Sequence, residues 1–249
     1  MKNIRTITVL AAGLLLAACH ERPLRPRFDT LSVERQLAGE GALCRVDYSF
    51  VSIANASHSQ ALRAIEERNI GYFFQLEEFA GVAREAIDAS LAEIETQLLA
   101  PPAGGASGRE RRAEYEISVA ADASVRDTLL TYTIVRESYT GGAHGMSTTE
   151  YHTYSIAGGY ELTLADLLTE KQMAGLTEAI RRKLCAQYGA ADDETLAALG
   201  IFPDYIAPTE NFRLDDEGLL LLYNPYDVAC YAFGPVEVLL TAAELEALR

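Results

Sequence analysis

Two stretches of alternating residues on either side of a glycine-rich segment constrain the fold more than any other feature of this sequence. DTLLTYTIVRESY (127–139) places Leu130, Tyr132 and Ile134 on one face of an extended chain, and STTEYHTYSIAG (147–158) follows it. Between them, TGGAHG (140–145) supplies glycines that can adopt the positive φ angles needed for a chain reversal. This arrangement is typical of an antiparallel hairpin. The sequence therefore predicts a sheet around residues 127–158.

Helical and extended patterns alternate along the rest of the chain. Apolar residues recur at helical spacing over 75–99, and a second stripe ends at Gly189, which is a natural helix stop. Extended segments are predicted at 42–53, 113–122 and 235–240, with a hairpin over 209–223 and a short terminal helix over 242–249. PPAGGASGRER (101–111) is predicted to be a flexible connection. The predicted class is α+β, with two mixed halves that contain antiparallel sheets and packed helices. The second helical stripe consists of Met173, Leu176, Ile180, Leu184 and Tyr188.

The first eighteen residues have the features of a secretory signal. Lys2 and Arg5 precede an apolar run from Ile7 to Ala18, and no later stretch has the roughly twenty apolar residues that a membrane-spanning helix needs. Leu-Ala-Ala-Cys at 16–19 resembles the lipobox of bacterial lipoproteins, which predicts lipid attachment at Cys19; the alternative is an ordinary cleavage site beside an incidental cysteine. We therefore predict a signal peptide at 1–18, a lipid-anchored tether at 19–40 and a location in the bacterial cell envelope or periplasm, outside the cytoplasm.

Charge narrows the classes of partner. The chain has 21 basic and 36 acidic residues, and loss of Lys2 and Arg5 with the signal moves its net charge from −15 to −17. Nucleic-acid binding is therefore not expected, because neutralising phosphates requires a basic surface. A basic partner would be attracted, although the same charge also serves solubility. With Cys19 lipidated, Cys44, Cys185 and Cys230 allow at most one internal disulfide, and its connectivity stays open.

The order of these segments resembles a known pair of bacterial domains. YTGGAHG (139–145) and Asn224-Pro225-Tyr226 followed by Tyr231 are its sharpest features, and LTLADLL (162–168) matches only at the level of pattern. They are similar to the DUF4163–DUF3298 pair, which forms the extracytoplasmic module of lysozyme-responsive anti-sigma factors and accompanies some peptidoglycan deacetylases. The resemblance implies a DUF4163-like domain at 41–148 and a DUF3298-like domain at 149–249. It does not extend to a sigma-binding segment or a catalytic domain, so neither activity is transferred.

The resemblance also implies where a partner would bind. An envelope module of this kind binds proteins or cell-wall ligands, and lysozyme is the best-known case. The glycine-histidine turn and the Asn-Pro-Tyr turn are the corresponding positions, although turn architecture alone would also explain the first of them. The predicted partner-binding residues are Tyr139, Thr140, Gly141, Gly142, His144, Gly145, Asn224, Pro225, Tyr226 and Tyr231.

Catalytic and metal-binding roles find little support in the sequence. His144 could act as a general base or a ligand, with His152 nearby in sequence, but a zinc site needs three or four ligands. A hydrogen bond from the ring of His144 to nearby backbone is the simpler expectation. GxSxG and HExxH are absent, as is CxxC. We predict no catalytic residue, no metal and no cofactor.

Three functional hypotheses follow. The first is a non-enzymatic envelope lipoprotein, held to the membrane by its N-terminal lipid, that binds a basic protein such as lysozyme. The second is an accessory module that binds peptidoglycan, for which the tyrosines could provide stacking surfaces. The third and weakest is an enzyme acting on the cell wall, which would need a concave polar site with perturbed titratable groups.

Overall fold

The structure is a computed structural model that describes residues 23–39, 42–76, 81–99 and 113–248. The predicted signal peptide, Cys19 and the connection PPAGGASGRER lie outside the described residues. In the part of the chain that is described, no helix is long and apolar enough to cross a membrane. The fold is α+β, as predicted, and consists of two units that each combine helices with a sheet.

A six-stranded sheet with strands in sequence order forms the first unit. All neighbouring strands are antiparallel except the second and third, which are parallel. A parallel pair needs a crossover connection, and the two helices of this unit lie in that connection. The elements are β1 (Phe28–Ala38), β2 (Ala42–Ile53), α1 (Gln60–Phe74), α2 (Ala83–Gln97), β3 (Ala113–Arg126), β4 (Leu129–Tyr139), β5 (Met146–Ser155) and β6 (Tyr160–Glu161).

Helix α1 packs on one face of this sheet, which we call the inner face. Phe50 of β2 lies 5.2 Å from Phe73 and 5.7 Å from Phe74 between ring centroids. The prediction that Leu130, Tyr132 and Ile134 share one face is confirmed, because all three are fully buried in this core. The predicted helix over 75–99 begins too early. Gln75 ends α1 in the left-handed conformation at φ 54°, and α2 starts only at Ala83.

The predicted tether at 19–40 is wrong over its second half, where Phe28–Ala38 forms β1. Leu31, Val33 and Leu37 point toward the core with a period of two, which the polar and charged residues between them make a weak signal in the sequence. The amide of Asn55, which is 3% exposed, fixes the chain just before the strand. Its Oδ1 accepts a bond from the Arg27 N–H at 2.7 Å, and its Nδ2 donates to the Arg25 carbonyl at 2.9 Å.

The second unit packs helices against a three-stranded antiparallel sheet. Gly189 ends the long helix at φ 65°, as predicted, and the strand Gly218–Tyr223 is central and buried between its two neighbours. A short helix that starts at its N-cap Asp192 was not predicted. The elements are α3 (Leu164–Leu167), α4 (Glu170–Tyr188), α5 (Asp193–Leu199), β7 (Phe212–Leu214), β8 (Gly218–Tyr223), β9 (Val236–Thr241) and α6 (Ala242–Ala247).

The predicted boundary between residues 148 and 149 would cut through β5. Every residue of β5 from Met146 to Ser155 is paired with β4, and the first core extends to Ile156. The second core begins at Leu164. The division between the units therefore falls between Ile156 and Leu164, because a hairpin partner cannot be separated from its sheet.

Candidate functional site

The glycine-histidine loop connects β4 to β5 as a hairpin, as predicted. Gly141 and Gly142 have φ angles of 95° and 97°, which favour glycine. A side chain at Gly145 would place its Cβ 2.8 Å from the Ser138 carbonyl oxygen. The Tyr139 hydroxyl donates to the Gly142 carbonyl at 3.2 Å across the loop. Chain reversal and close backbone approach thus explain the glycines of this loop.

The Asn-Pro-Tyr turn is fixed directly against β5. The side chain of Asn224 accepts a bond from the Thr149 N–H at 2.8 Å and donates to the Thr149 carbonyl at 3.0 Å. Asp227 closes the turn, since its carboxylate accepts from the Asn224 N–H at 2.7 Å. Tyr226 has a φ of 76° and is 51% exposed. Asn224 therefore positions the turn, whereas Tyr226 faces solvent.

The structure brings the two predicted turns together in one aromatic cluster. The rings of His144 and Tyr231 stack with centroids 3.9 Å apart, and Tyr226 lies 5.8 Å from Tyr231. The Tyr231 hydroxyl donates to the Gly145 carbonyl at 2.7 Å. His144 Nδ1 lies 2.9 Å from the same oxygen, which is the backbone contact expected for this ring. We call His144, Tyr226 and Tyr231 the aromatic cluster.

An acidic cleft of about 290 Å³ adjoins the aromatic cluster on the face of the sheet opposite α1 and α2, which we call the outer face. Glu116 pairs in register with Tyr139, and Glu137 pairs with both Ser118 and Ser147. Glu116 and Glu137 are not among the residues predicted from the sequence, although the alternation of β3 and β4 places them on the same face as Tyr139. The side chains that line the cleft include Glu116, Ser118, Glu137, Tyr139, Ser147 and Tyr231.

Acidic residues dominate the exposed part of the outer face. Within β1–β4 its charged positions are six carboxylates and two arginines, and all eight residues are exposed. Arg45 pairs with Glu116 at 3.1 Å, and Arg126 pairs with Asp216 at 2.8 Å. Among the described residues, Glu116 is the one carboxylate of this face within β1–β4 that forms an ion pair. The six are Glu34, Asp47, Glu114, Glu116, Asp122 and Glu137.

The inner face carries a larger groove, of about 690 Å³, between α2 and the hairpin end of the sheet. Its walls combine apolar side chains, among them Ile94, Ile117 and Met146, with the hydroxyls of Thr140 and Thr148. Thr140, predicted with the aromatic residues, thus faces this groove and does not line the acidic cleft. The two openings lie on opposite faces of the same hairpin.

His152 lies within a titratable network that sequence analysis did not assemble. Its Nδ1 is 2.7 Å from a Glu161 oxygen, and its Nε2 is 3.6 Å from Glu150. The ring stacks on Tyr72 at 3.9 Å with an interplanar angle of 7°. Arg136, whose side chain is 14% exposed, bonds Glu150 at 3.0 Å and the backbone carbonyls at the end of α1. The network therefore joins α1 to β4, β5 and β6.

Opposite charges in the network shift its pKa values. Burial alone would lower the pKa of His152, but the carboxylates of Glu150 and Glu161 beside the ring outweigh burial, so the pKa is raised. Burial would raise the pKa of both glutamates, yet His152 and nearby cationic groups hold each pKa below its usual value. Burial and the neighbouring Glu161 raise the pKa of Tyr72 to about 12. The contacts of His152 are thus made within the protein.

The described part of the chain contains neither a metal-binding cluster nor a disulfide among Cys44, Cys185 and Cys230. Over 23–39, 42–76, 81–99 and 113–248, no group of three or more His, Cys, Asp and Glu side chains is placed to hold a metal ion. Cys44, Cys185 and Cys230 are all free thiols, and Cys44 is buried. None of the pairings left open by the sequence is formed among these three.

Comparison with known proteins identifies a domain of unknown function in the second unit. Residues 165–243 match a family described as "Protein of unknown function (DUF3298)". No curated protein matches the chain. The fold is similar to a DUF3298 family member from Bacteroides fragilis, with a TM-score of 0.76, 23% identity, and coverage of 91% of this chain and 94% of that chain. A DUF3298 family protein from Pseudomonas aeruginosa gives a TM-score of 0.64, 17% identity, and coverage of 90% and 94%.

These comparisons support only part of the predicted resemblance. The DUF3298 assignment is supported at 165–243, which lies within the predicted range of 149–249. The likeness to the two solved structures extends over both units and shows a common fold. The DUF4163 assignment and the link to lysozyme-responsive proteins remain predictions.

Proposed function

We propose that this protein is a non-enzymatic envelope lipoprotein that binds a basic protein through its outer face. The exposed carboxylates of that face, next to the aromatic cluster, carry the proposal. An acidic surface speeds encounter with a cationic partner, and exposed tyrosines supply contact area that can be desolvated. The acidic cleft between Glu116, Glu137 and Tyr231 suits a lysine or arginine side chain of such a partner.

The placement of like charges supports this assignment. Glu34 lies opposite Asp47 in the β1–β2 register, and like charges directly opposite each other destabilise a sheet. Folding therefore gains nothing from this pair, whereas a cationic surface docked on the outer face would neutralise both carboxylates. The predicted lipid on Cys19 would hold the module at a membrane, where partners of the envelope are met.

A binding measurement with the full chain, inserted in lipid nanodiscs, tests the proposal. Basic c-type lysozyme is the probe, at low, physiological and high salt. We expect the dissociation constant to rise with salt, because exposed charges are screened. A Glu116→Gln, Glu137→Gln variant should bind about fivefold more weakly, mainly through a slower association rate.

The matched control makes the same charge change on the opposite side of the sheet. Asp88 and Glu95 are exposed on α2, so an Asp88→Asn, Glu95→Gln variant has the same net charge as the test variant. Its affinity should stay close to that of the parent chain. Equal losses in both variants would show that net charge alone attracts the probe, and the outer face would not be the docking surface.

The groove on the inner face favours a second candidate, binding of peptidoglycan. Hydroxyls beside an apolar wall are the chemistry that sugar rings contact. Co-sedimentation with purified peptidoglycan tests it, using Met146→Glu in the groove and Leu199→Glu on α5 as the control, since both side chains are exposed at 39% and 46%. Because Met146 also borders the acidic cleft, Glu116→Gln, which alters that cleft alone, is a second control. Sedimentation that Met146→Glu reduces and that neither control changes would support this candidate, and a parent chain that stays in the supernatant would contradict it.

A further inference from the structure

The first strand of the large sheet is an edge strand, and its side away from β2, which we call the free side, pairs with no other strand of the described residues. β1 pairs with β2 along its whole length and with no other described strand. The Arg27 carbonyl accepts from the Ala54 N–H at 2.7 Å, and the Gly39 N–H donates to the Ala42 carbonyl at 3.0 Å. Because antiparallel pairing alternates along a strand, odd-numbered residues bond β2. The N–H and C=O groups of the even-numbered residues 28–38 therefore point to the free side.

Backbone groups that pair with no other described strand along eleven residues form a template for another strand. Most side chains of β1 are exposed, but Leu31 and Val33 on its inner face are only half-buried at the border of the core. The Arg35 guanidinium donates to the Glu34 carbonyl at 2.9 Å, one of the carbonyls that face the free side. The edge is thus long, uninterrupted by proline and partly apolar.

We propose that β1 pairs antiparallel with β1 of a second copy of this chain, with Ser32 on the two-fold axis. In this register Asp29 lies opposite the partner's Arg35, and symmetry forms this ion pair twice. Leu31 lies opposite the partner's Val33, also twice, on the same face of the sheet. A symmetric dimer requires such a self-complementary patch, and the sequence FDTLSVERQLA supplies one.

Neighbouring registers lack this complementarity. Centring the pair on Leu31 sets Asp29 opposite an apolar Val33, and centring it on Val33 sets Leu31 opposite Arg35. Centring it on Glu34 brings two carboxylates together, which destabilises a strand pair. The register centred on Ser32 therefore matches both charge and apolar contacts. It joins the two six-stranded sheets and makes their acidic outer faces continuous.

Cysteine cross-linking tests the register. Ser32 is exposed, and residues directly opposite each other have Cα atoms within the range that a disulfide can span. Ser32→Cys in the full chain, purified in non-ionic detergent, should cross-link to a dimer on mild oxidation. Thr30→Cys is the matched control, because Thr30 lies opposite the partner's Glu34 and far from the partner's Thr30. The parent chain measures any background from its own cysteines.

Charge reversal tests the ion pairs by light scattering after size-exclusion chromatography. Arg35→Asp should raise the dimer dissociation constant about tenfold, because both ion pairs become repulsive. The Asp29→Arg, Arg35→Asp double variant should restore dimerisation. A parent chain that remains monomeric at every accessible concentration would overturn the proposal. Equal cross-linking of both cysteine variants, or failure of the double variant to recover, would overturn the register.

Discussion

Two side-chain amides from the second unit complete the hydrogen bonding of β5, and their removal gives a sharp test of how the units are coupled. Asn211 accepts from the Tyr151 N–H at 2.8 Å, and Asn224 accepts from the Thr149 N–H at 2.8 Å. Both amides donate to one acceptor, the Thr149 carbonyl, at 2.8 Å and 3.0 Å. This shared acceptor makes the effects of the two asparagines interdependent.

The expected free energies follow from which groups lose a partner. Asn211→Ala leaves the Tyr151 N–H unpaired, and Asn224→Ala leaves the Thr149 N–H unpaired. Each change should cost about 1–2 kcal/mol of unfolding free energy, since these contacts are partly buried. The Thr149 carbonyl keeps one donor in either single variant and loses both in the double variant. The double variant should therefore cost about 1 kcal/mol more than the sum of the single variants.

Urea unfolding of the four chains gives this coupling energy. Hydrogen exchange at the amides of Thr149 and Tyr151 gives a local check, because each asparagine protects one of them. Asn211→Asp is the matched variant: its carboxylate still accepts from Tyr151 but cannot donate to Thr149. We expect Asn211→Asp to leave the Tyr151 amide protected from exchange. Combined with Asn224→Ala, it should leave the Thr149 carbonyl without a donor, as in the double alanine variant.

The sign of the coupling decides the outcome. Independent sites add to within roughly 0.3–0.5 kcal/mol. Additive losses, or a double variant less destabilised than the sum, would refute the idea that Thr149 is shared. Unchanged exchange at Tyr151 in Asn211→Ala would likewise show that this amide has another partner in solution.

Three further predictions concern pH, backbone space and thiol reactivity. The pKa of His152 is raised above its usual value of 6.5, so protonated His152 stabilises the fold fully below pH 6.5, and this stability is lost as pH rises through the raised pKa. The pKa values of Glu150 and Glu161 are lowered, so these carboxylates stabilise the fold above their usual value of 4.5. His152→Phe should therefore flatten the alkaline fall in urea midpoint between pH 6.5 and higher pH, and an unchanged slope would contradict this. Gly218→Ala should destabilise by more than about 3 kcal/mol in thermal unfolding, because its Cβ would lie 2.1 Å from the Leu240 carbonyl oxygen. Gly142→Ala, with φ 97° and open space around it, should cost only about 1 kcal/mol. Burial raises the pKa of the Cys44 thiol, so a thiol reagent followed by mass spectrometry should label it only in denaturant, and rapid labelling of the folded chain would disprove its burial.

Local patterns in the sequence predicted most helices, strands and turns, because the formation of these elements depends mainly on residues that are close together in the sequence. The hairpin around 140–145, the buried strand before Tyr223 and the helix stop at Gly189 each follow from backbone preference or side-chain period. β1 was not predicted because its apolar residues, among them Leu31 and Val33, lie between polar and charged ones in a segment that also follows two prolines. The parallel pairing of β2 and β3 was not predicted either, since strand order is a property of tertiary packing.

The two turns of the candidate site could be predicted because they too depend on local sequence, whereas their contact with each other could not. The loop residues from Tyr139 to Gly145 and the turn at Asn224 are marked by unusual local composition. The contact between this loop and this turn, made by the stacked rings of His144 and Tyr231, depends on how the two units pack. Alternation within β3 and β4 already placed Glu116 and Glu137 on the face of Tyr139, so this signal was present but unused.

The misplaced domain boundary and the role of Asn224 have one physical origin. The boundary between 148 and 149, which the resemblance implied, treats most of β5 as the start of the second unit. β4 bonds one side of β5, while Asn211 and Asn224 bond part of the other side. Backbone groups that are partly buried must find partners, and here the second unit supplies them with side chains. Asn224 therefore fixes the position of the turn beside the aromatic cluster, and the exposed ring of Tyr226 is the part of that turn to which we assign the proposed partner contact.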